Sequence, residues 1–136
     1  MTNNLQQMRN KEIEKVYKNI VSSSSANMRY VSRDVILDLI MAHPAPRFYI
    51  TPKMAERYVL GYKKQLPHII HSSRLPMIED LVSVYDKAVV RYKNQSRTMI
   101  WEHVVKSQAK SFYMTKKRIE EILYKWRNGN KQLTIS

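Results

Sequence analysis

The sequence predicts an all-α protein in which one three-helix unit of about 64 residues occurs twice, packed as one compact helical protein. Three observations carry that prediction: a scarcity of glycine, a self-similarity at a fixed offset, and apolar stripes at helical spacing. Only two glycines and five prolines occur in 136 residues, whereas sandwiches and nucleotide-binding α/β folds use glycine at turns and phosphate loops. The apolar share of 43% suffices for a modest core.

Sliding the chain by 64 lays residues 32–64 over 96–128 without a gap. Ser32/Ser96, Arg33/Arg97, Ile36/Ile100, Ala45/Ala109, Phe48/Phe112, Tyr49/Tyr113, Thr51/Thr115, Lys53/Lys117 and Glu56/Glu120 are identical. About two identities are expected for unrelated segments of that length. Ile40/Val104, Ile50/Met114, Val59/Leu123, Tyr62/Trp126 and Lys63/Arg127 are conservative pairs. Upstream, Ile13, Val16 and Tyr17 fall over Leu81, Val84 and Tyr85 at an offset of 68, and the run Ser22–Ser25 accounts for the extra four residues. Such a period is the signature of a duplicated unit. The expected division is a first repeat over 1–66, a linker over 67–76 and a second repeat over 77–136.

Within each unit three helices follow in order. The first covers roughly 11–21 and 77–92; its second copy sets Ile78, Leu81, Val82, Tyr85, Ala88, Val89 and Tyr92 on one stripe, the three-and-four spacing of an amphipathic helix. The second covers roughly 33–42 and 97–107, with Ser32 and Ser96 as N-caps. The third covers roughly 52–65 and 116–128, capped by Thr51 and Thr115, with Pro52 where a first turn tolerates proline. Ile50 and Met114 before those caps, with Ala55 and Ile119 at the fourth helical position, fit a hydrophobic staple. The inward stripe is Ala55, Tyr58, Val59 and Tyr62 in one copy, and Ile119, Ile122, Leu123 and Trp126 in the other. Gly129 reads as a C-terminal cap with a frayed tail beyond it. Leu66–Pro76, with two prolines, two serines and no periodicity, reads as the linker.

Charge narrows the partners. Twenty-four basic and 11 acidic residues give +13, with +6 on residues 1–64 and +7 on 65–136. This even excess differs from a basic tail on a neutral domain. It favours solubility and attraction to polyanions, so the expected partner is nucleic acid, with an acidic protein as the alternative. Duplex DNA is favoured over RNA, because a helix suits the major groove. The absence of cysteine excludes disulfides, thiolate metal sites and cysteine nucleophiles. The N-terminal residues lack the apolar core of a signal peptide, and no run approaches a membrane span, so a cytoplasmic protein without a membrane partner is expected.

The candidate contacts lie where each third helix begins. Ala45-Pro-Arg-Phe-Tyr-Ile-Thr51 and Ala109-Lys-Ser-Phe-Tyr-Met-Thr115 lead into it, with Arg47 and Lys110 on the loops. Lys53 and Arg57 in one copy, and Lys116, Lys117 and Arg118 in the other, occupy the helix itself. Cations at a helix N-terminus oppose the macrodipole, and phosphate bound by the free N–H groups offsets that cost. The aromatic pairs have two readings: Phe48 and Phe112 as core plugs, and Tyr49 and Tyr113 as half-buried or base-stacking residues. The second and third helices together resemble a helix-turn-helix, although residues 43–50 form an eight-residue connection where that motif uses three or four.

Catalysis is not expected. No phosphate loop, nucleophile elbow or H-E-x-x-H occurs, and no cofactor or metal is called for. His68-x-x-His71 has metal-compatible spacing but lies in the linker without a nearby carboxylate. His103, matched to Leu39, is expected as an adapted core or interface residue, and Glu56 and Glu120 as partners of Lys53/Lys117 or Lys63/Arg127 along their own helices.

Overall fold

The computed structural model describes residues 4–23 and 32–135, with side chains as far as Gly129. Among the described residues the chain forms α1 (Asn4–Ser23), α2 (Arg33–Ala42), α3 (Pro52–Lys63), α4 (Pro67–Ile70), α5 (Leu75–Arg91), α6 (Arg97–Val105) and α7 (Lys116–Ile135). No strand occurs among them, only an isolated antiparallel bridge between Ala45 and Ala109. The second half of the Ser22–Ser25 run lies outside the described residues.

Each expected N-cap forms. Ser32 Oγ accepts from the Val35 N–H at 3.4 Å and Ser96 Oγ from Met99 at 3.2 Å. Thr51 Oγ1 accepts from Met54 at 3.1 Å and Thr115 Oγ1 from Arg118 at 3.2 Å. A cap of this kind satisfies an otherwise orphaned donor and contributes about 1 kcal/mol.

The helices pack as two compact units. One is continuous, Pro44–Tyr113, and contains α3 to α6. There α3, α5 and α6 pack on one another, and α4 packs on α3. Its core is Ala55 and Val59 of α3, Ile78 and Leu81 of α5, and Trp101 and Val104 of α6. Phe48 and Phe112 are buried beside the Ala45–Ala109 bridge, and Tyr85 stacks on Trp101 with centroids 4.4 Å apart. The other unit combines residues 1–43 with 114–136, so that α1, α2 and α7 pack together. Its core is Ile13 and Val16 of α1, Leu37 and Ile40 of α2, and Ile119, Ile122 and Leu123 of α7. Tyr17 meets Trp126 edge-on at 6.3 Å.

The division by packing therefore crosses the division read from the sequence. In each unit the long amphipathic helix and the short capped helix come from one half of the chain and the third helix comes from the other: α1 and α2 take α7, while α5 and α6 take α3. The helix-turn-helix-like pairing of consecutive helices is not the packing pair. The connections explain this, because residues 43–51 and 106–115 are three times the length of a tight turn and largely non-helical.

Four further expectations change. The 67–76 stretch contains α4 and the first turn of α5 and lies inside the continuous unit, with Ile69 buried. Its two prolines sit in the first turn of a helix, where proline starts structure instead of breaking it. Gly129 lies within α7, has no positive φ, and does not cap. Glu56 and Glu120 pair across helices, with Arg97 at 2.6 Å and Arg33 at 3.6 Å. His103 is not core: it stacks on Tyr92 at 3.8 Å and bonds Gln95 at 2.9 Å, and the matched Leu39 is exposed.

Candidate nucleic-acid interface

The first turns of α3 and α7 contain no acidic residue. Lys53 and Lys117 thus face the positive end of the helix dipole with no ion-pair partner among the described residues, which opposes the macrodipole. On α3, Lys53 and Arg57 lie one turn apart, exposed, and in no ion pair among the described residues. On α7 the three cations differ. Lys117 is exposed and in no ion pair among the described residues. Lys116 Nζ reaches Asp38 Oδ1 of α2 at 2.9 Å, and that hydrogen bond holds its ammonium above the ordinary value. Arg118 meets Glu121 at 3.4 Å along the same helix.

The two loop cations sit in the continuous unit. Ala45 and Ala109 exchange backbone hydrogen bonds of 3.0 and 2.9 Å, which sets the Arg47 and Lys110 loops side by side. Arg47 turns back on its own loop: Nε donates to the Phe48 carbonyl at 3.0 Å, and its guanidinium lies 5.9 Å from the Tyr49 ring. Lys110 leaves its side chain exposed while its backbone N–H donates to Asp80 Oδ2 at 2.9 Å. Of the seven candidates, Arg47, Lys53, Arg57 and Lys110 thus belong to the continuous unit, and Lys116, Lys117 and Arg118 to the unit built from the two chain ends. Among the described residues, Lys53, Arg57, Lys110 and Lys117 combine exposure with freedom from a carboxylate, while Arg47, Lys116 and Arg118 are held by partners.

Net charge follows the packing units as evenly as the sequence halves. The chain-end unit carries 12 basic and 6 acidic residues, the continuous unit 12 and 5. The ion pairs are exposed or half-exposed, so each contributes at most about 1 kcal/mol to stability.

The structure also reveals a buried acid that the sequence reading passed over. Asp80 of α5 is 6% exposed, and its Oδ2 accepts from Lys110 N and, at 2.6 Å, from the Tyr113 hydroxyl. Burial first, then the bond to Asp80, raises the Tyr113 hydroxyl pKa above its ordinary value. Tyr113 holds a left-handed backbone, φ 57°, a conformation that costs a non-glycine residue about 1 kcal/mol or more. The carboxylate anchors that turn immediately before α7. A signal for it was present, since position 80 lies three residues after Met77 and four before Val84, on the buried side of α5.

A second feature missed by the sequence reading is an open cleft of about 450 Å³ beside α7, lined by Arg33, Glu120, Glu121, Tyr124 and Lys125. Among the described residues, no group of three His, Asp or Glu side chains is placed to hold a metal ion, and no helix is long and apolar enough to cross a membrane. No protein-family model, curated protein or solved structure matches this chain.

Proposed function

We propose that this chain is a nucleic-acid-binding protein without catalytic activity, with duplex DNA the favoured ligand, working from two related three-helix units. The observation that carries the reading is the charge: each packing unit holds twelve cations and a net +6 or +7. An excess of this size, present on both units, makes attraction to a polyphosphate the dominant long-range interaction. Lys53, Arg57, Lys110 and Lys117 are the proposed phosphate contacts, because they are exposed and free of carboxylates among the described residues. Arg47, Lys116 and Arg118 join only by leaving a present partner.

The duplication belongs to the same proposal. It is supported by contacts that recur between matched positions: Arg33–Glu120 and Arg97–Glu56 at an offset of 64, and Arg127 over Tyr17 and Lys63 over Tyr85, at 5.0 and 5.8 Å, with the tyrosines offset by 68. Identical or conservatively matched residues making corresponding contacts are what a duplicated unit produces.

An electrophoretic shift series with a 30-base-pair duplex in rising salt tests the function. The expected result is retardation at low ionic strength whose binding constant falls steeply with salt, the slope counting the phosphates neutralised. A triple reversal to Glu at Lys53, Arg57 and Lys117 abolishes it. Absence of any shift at low salt overturns the reading.

A second reading, a module that binds an acidic protein, is favoured by one observation. Val35 and Leu39 lie one turn apart on α2, each 44% exposed. If the triple reversal abolishes polynucleotide binding but leaves capture of a protein partner unchanged, this second role exists beside the first.

A further inference from the structure

The cleft beside α7 has features that phosphate attraction alone does not require. Tyr124 forms its wall, is 62% exposed, and makes no hydrogen bond or ring contact among the described residues. The matched residue 64 positions earlier is Leu60, which is half-buried, so the ring is not imposed by packing. Tyr124 also lines a smaller recess of about 60 Å³, whose apolar lining includes Ile36, Leu37 and Leu123. The two spaces adjoin, since Arg33, Glu120 and Tyr124 line both. An exposed aromatic face beside an apolar recess is a stacking platform, and every nucleobase presents a π-face to it.

The rim supplies the matching charge. Lys125 is exposed and in no ion pair among the described residues, and Arg127 is held over the Tyr17 ring with its guanidinium against the Tyr17 hydroxyl. Arg33 extends from the start of α2. The two carboxylates present, Glu120 and Glu121, are each engaged by an arginine, Arg33 and Arg118. A phosphodiester backbone thus meets a net positive rim while a base enters the cleft. The volume falls within the roughly 300–1,000 Å³ typical of small-ligand sites.

We infer that this cleft receives one unpaired nucleobase, stacked on Tyr124, with a flanking phosphate held by Lys125; Arg33 and Arg127 join only by leaving Glu120 and Tyr17. The inference rests on the nucleic-acid reading and goes beyond it. Phosphate attraction treats a perfect duplex and a disrupted one alike, whereas a base cleft prefers a bulge, a flipped base or a single strand. A protein segment with an aromatic side chain is the competing occupant.

Fluorescence anisotropy with three labelled 20-base-pair duplexes decides it: one fully paired, one carrying a single bulged adenine, and one with an abasic bulge at the same site. The bulged adenine is expected to bind about tenfold tighter than either of the others, within the range measured for one stacked base. Tyr124→Ala removes that preference and leaves affinity for the paired duplex unchanged; Tyr124→Phe keeps the preference. Equal, salt-sensitive binding of all three duplexes overturns the cleft and leaves the proposed function standing. A preference that survives Tyr124→Ala also overturns it, because the base then sits elsewhere. No binding of any duplex at low salt removes both readings together.

Discussion

The two packing units use the same kit of helices to different ends. The continuous unit, residues 44–113, adds a fourth short helix, a helix-to-helix approach that only glycine allows, and a buried carboxylate. Among the described residues the chain-end unit has three helices, fewer buried apolar side chains, and a cleft with an unpartnered tyrosine among its lining. One unit turns more of its side chains inward; the other leaves an aromatic side chain exposed beside a cleft.

The largest expected effect breaks this comparison by emptying one core at a time. Ile119→Ala in the chain-end unit and Ile78→Ala in the continuous unit both remove side chains with no exposure, and each is expected to cost about 2–5 kcal/mol. If the units are energetically separate, Ile119→Ala shifts the emission of Trp126, which packs on Tyr17, before that of Trp101. Single-tryptophan variants followed through urea unfolding check this, and coincident transitions in both variants would mean one cooperative block.

Next comes the buried acid. Asp80→Ala leaves the Lys110 N–H and the Tyr113 hydroxyl without their acceptor, an expected loss of about 1–3 kcal/mol, read as a shift in the denaturation midpoint. Its pH signature has a definite sign. The Tyr113 pKa is raised by folding, so its contribution is complete below the ordinary value of 10.0 and is lost as pH rises through the folded value. The wild type is therefore expected to lose stability more steeply than Tyr113→Phe above about pH 10, as measured by paired denaturant titrations.

Gly61 sharpens the contrast at closer range. A Cβ there would lie 2.7 Å from Ile69 Cγ1, so Gly61→Ala is expected to destabilise by about 1–3 kcal/mol through overpacking. That outweighs the gain of about 1 kcal/mol in helix propensity. Combining it with Ile69→Ala should cost less than the sum of the single changes, since the two residues share one contact. Gly129, with nothing within 4 Å of where a Cβ would stand, should respond oppositely. Gly129→Ala is expected to stabilise α7 by about 0.5–1 kcal/mol, seen as a small rise in helical circular dichroism. Opposite signs at the two glycines are the prediction; equal signs would remove the account of Gly61.

Much of this fold was legible in the residues. Ser32, Thr51, Ser96 and Thr115 announced four helix starts because capping is local, requiring one hydroxyl and a donor three residues on. The inward faces of α3 and α7 were legible for the same reason, since burial of Val59 and Ile119 follows from periodicity along one helix. What could not be read is which helix packs on which. Periodicity shows that Ile119 must be buried, not that Ile13 and Leu37 bury it. Glu56 was misread on the same ground: an i, i+4 partner is visible in sequence, whereas Arg97, 41 residues away, is not. At the candidate site, the identity of Lys53, Arg57 and Lys117 was readable but their freedom was not, because Asp38, which occupies Lys116, lies on another helix. Tyr124 carried no signal beyond occupying a position matched to leucine.

The crossing of α3 and α7 has a consequence for how the chain is assembled in time. The helices of residues 44–113 pack on one another within one continuous stretch, so that region can close as soon as it is synthesised, through local and therefore fast contacts. The helices at the front, α1 and α2, have no such option, because their partner α7 follows α6. Their apolar faces, including Ile13 and Ile40, wait across a loop of some seventy residues that an already folded middle shortens. Order of synthesis and order of folding thus part company: α1 and α2 precede residues 44–113 in the chain but complete their packing after them.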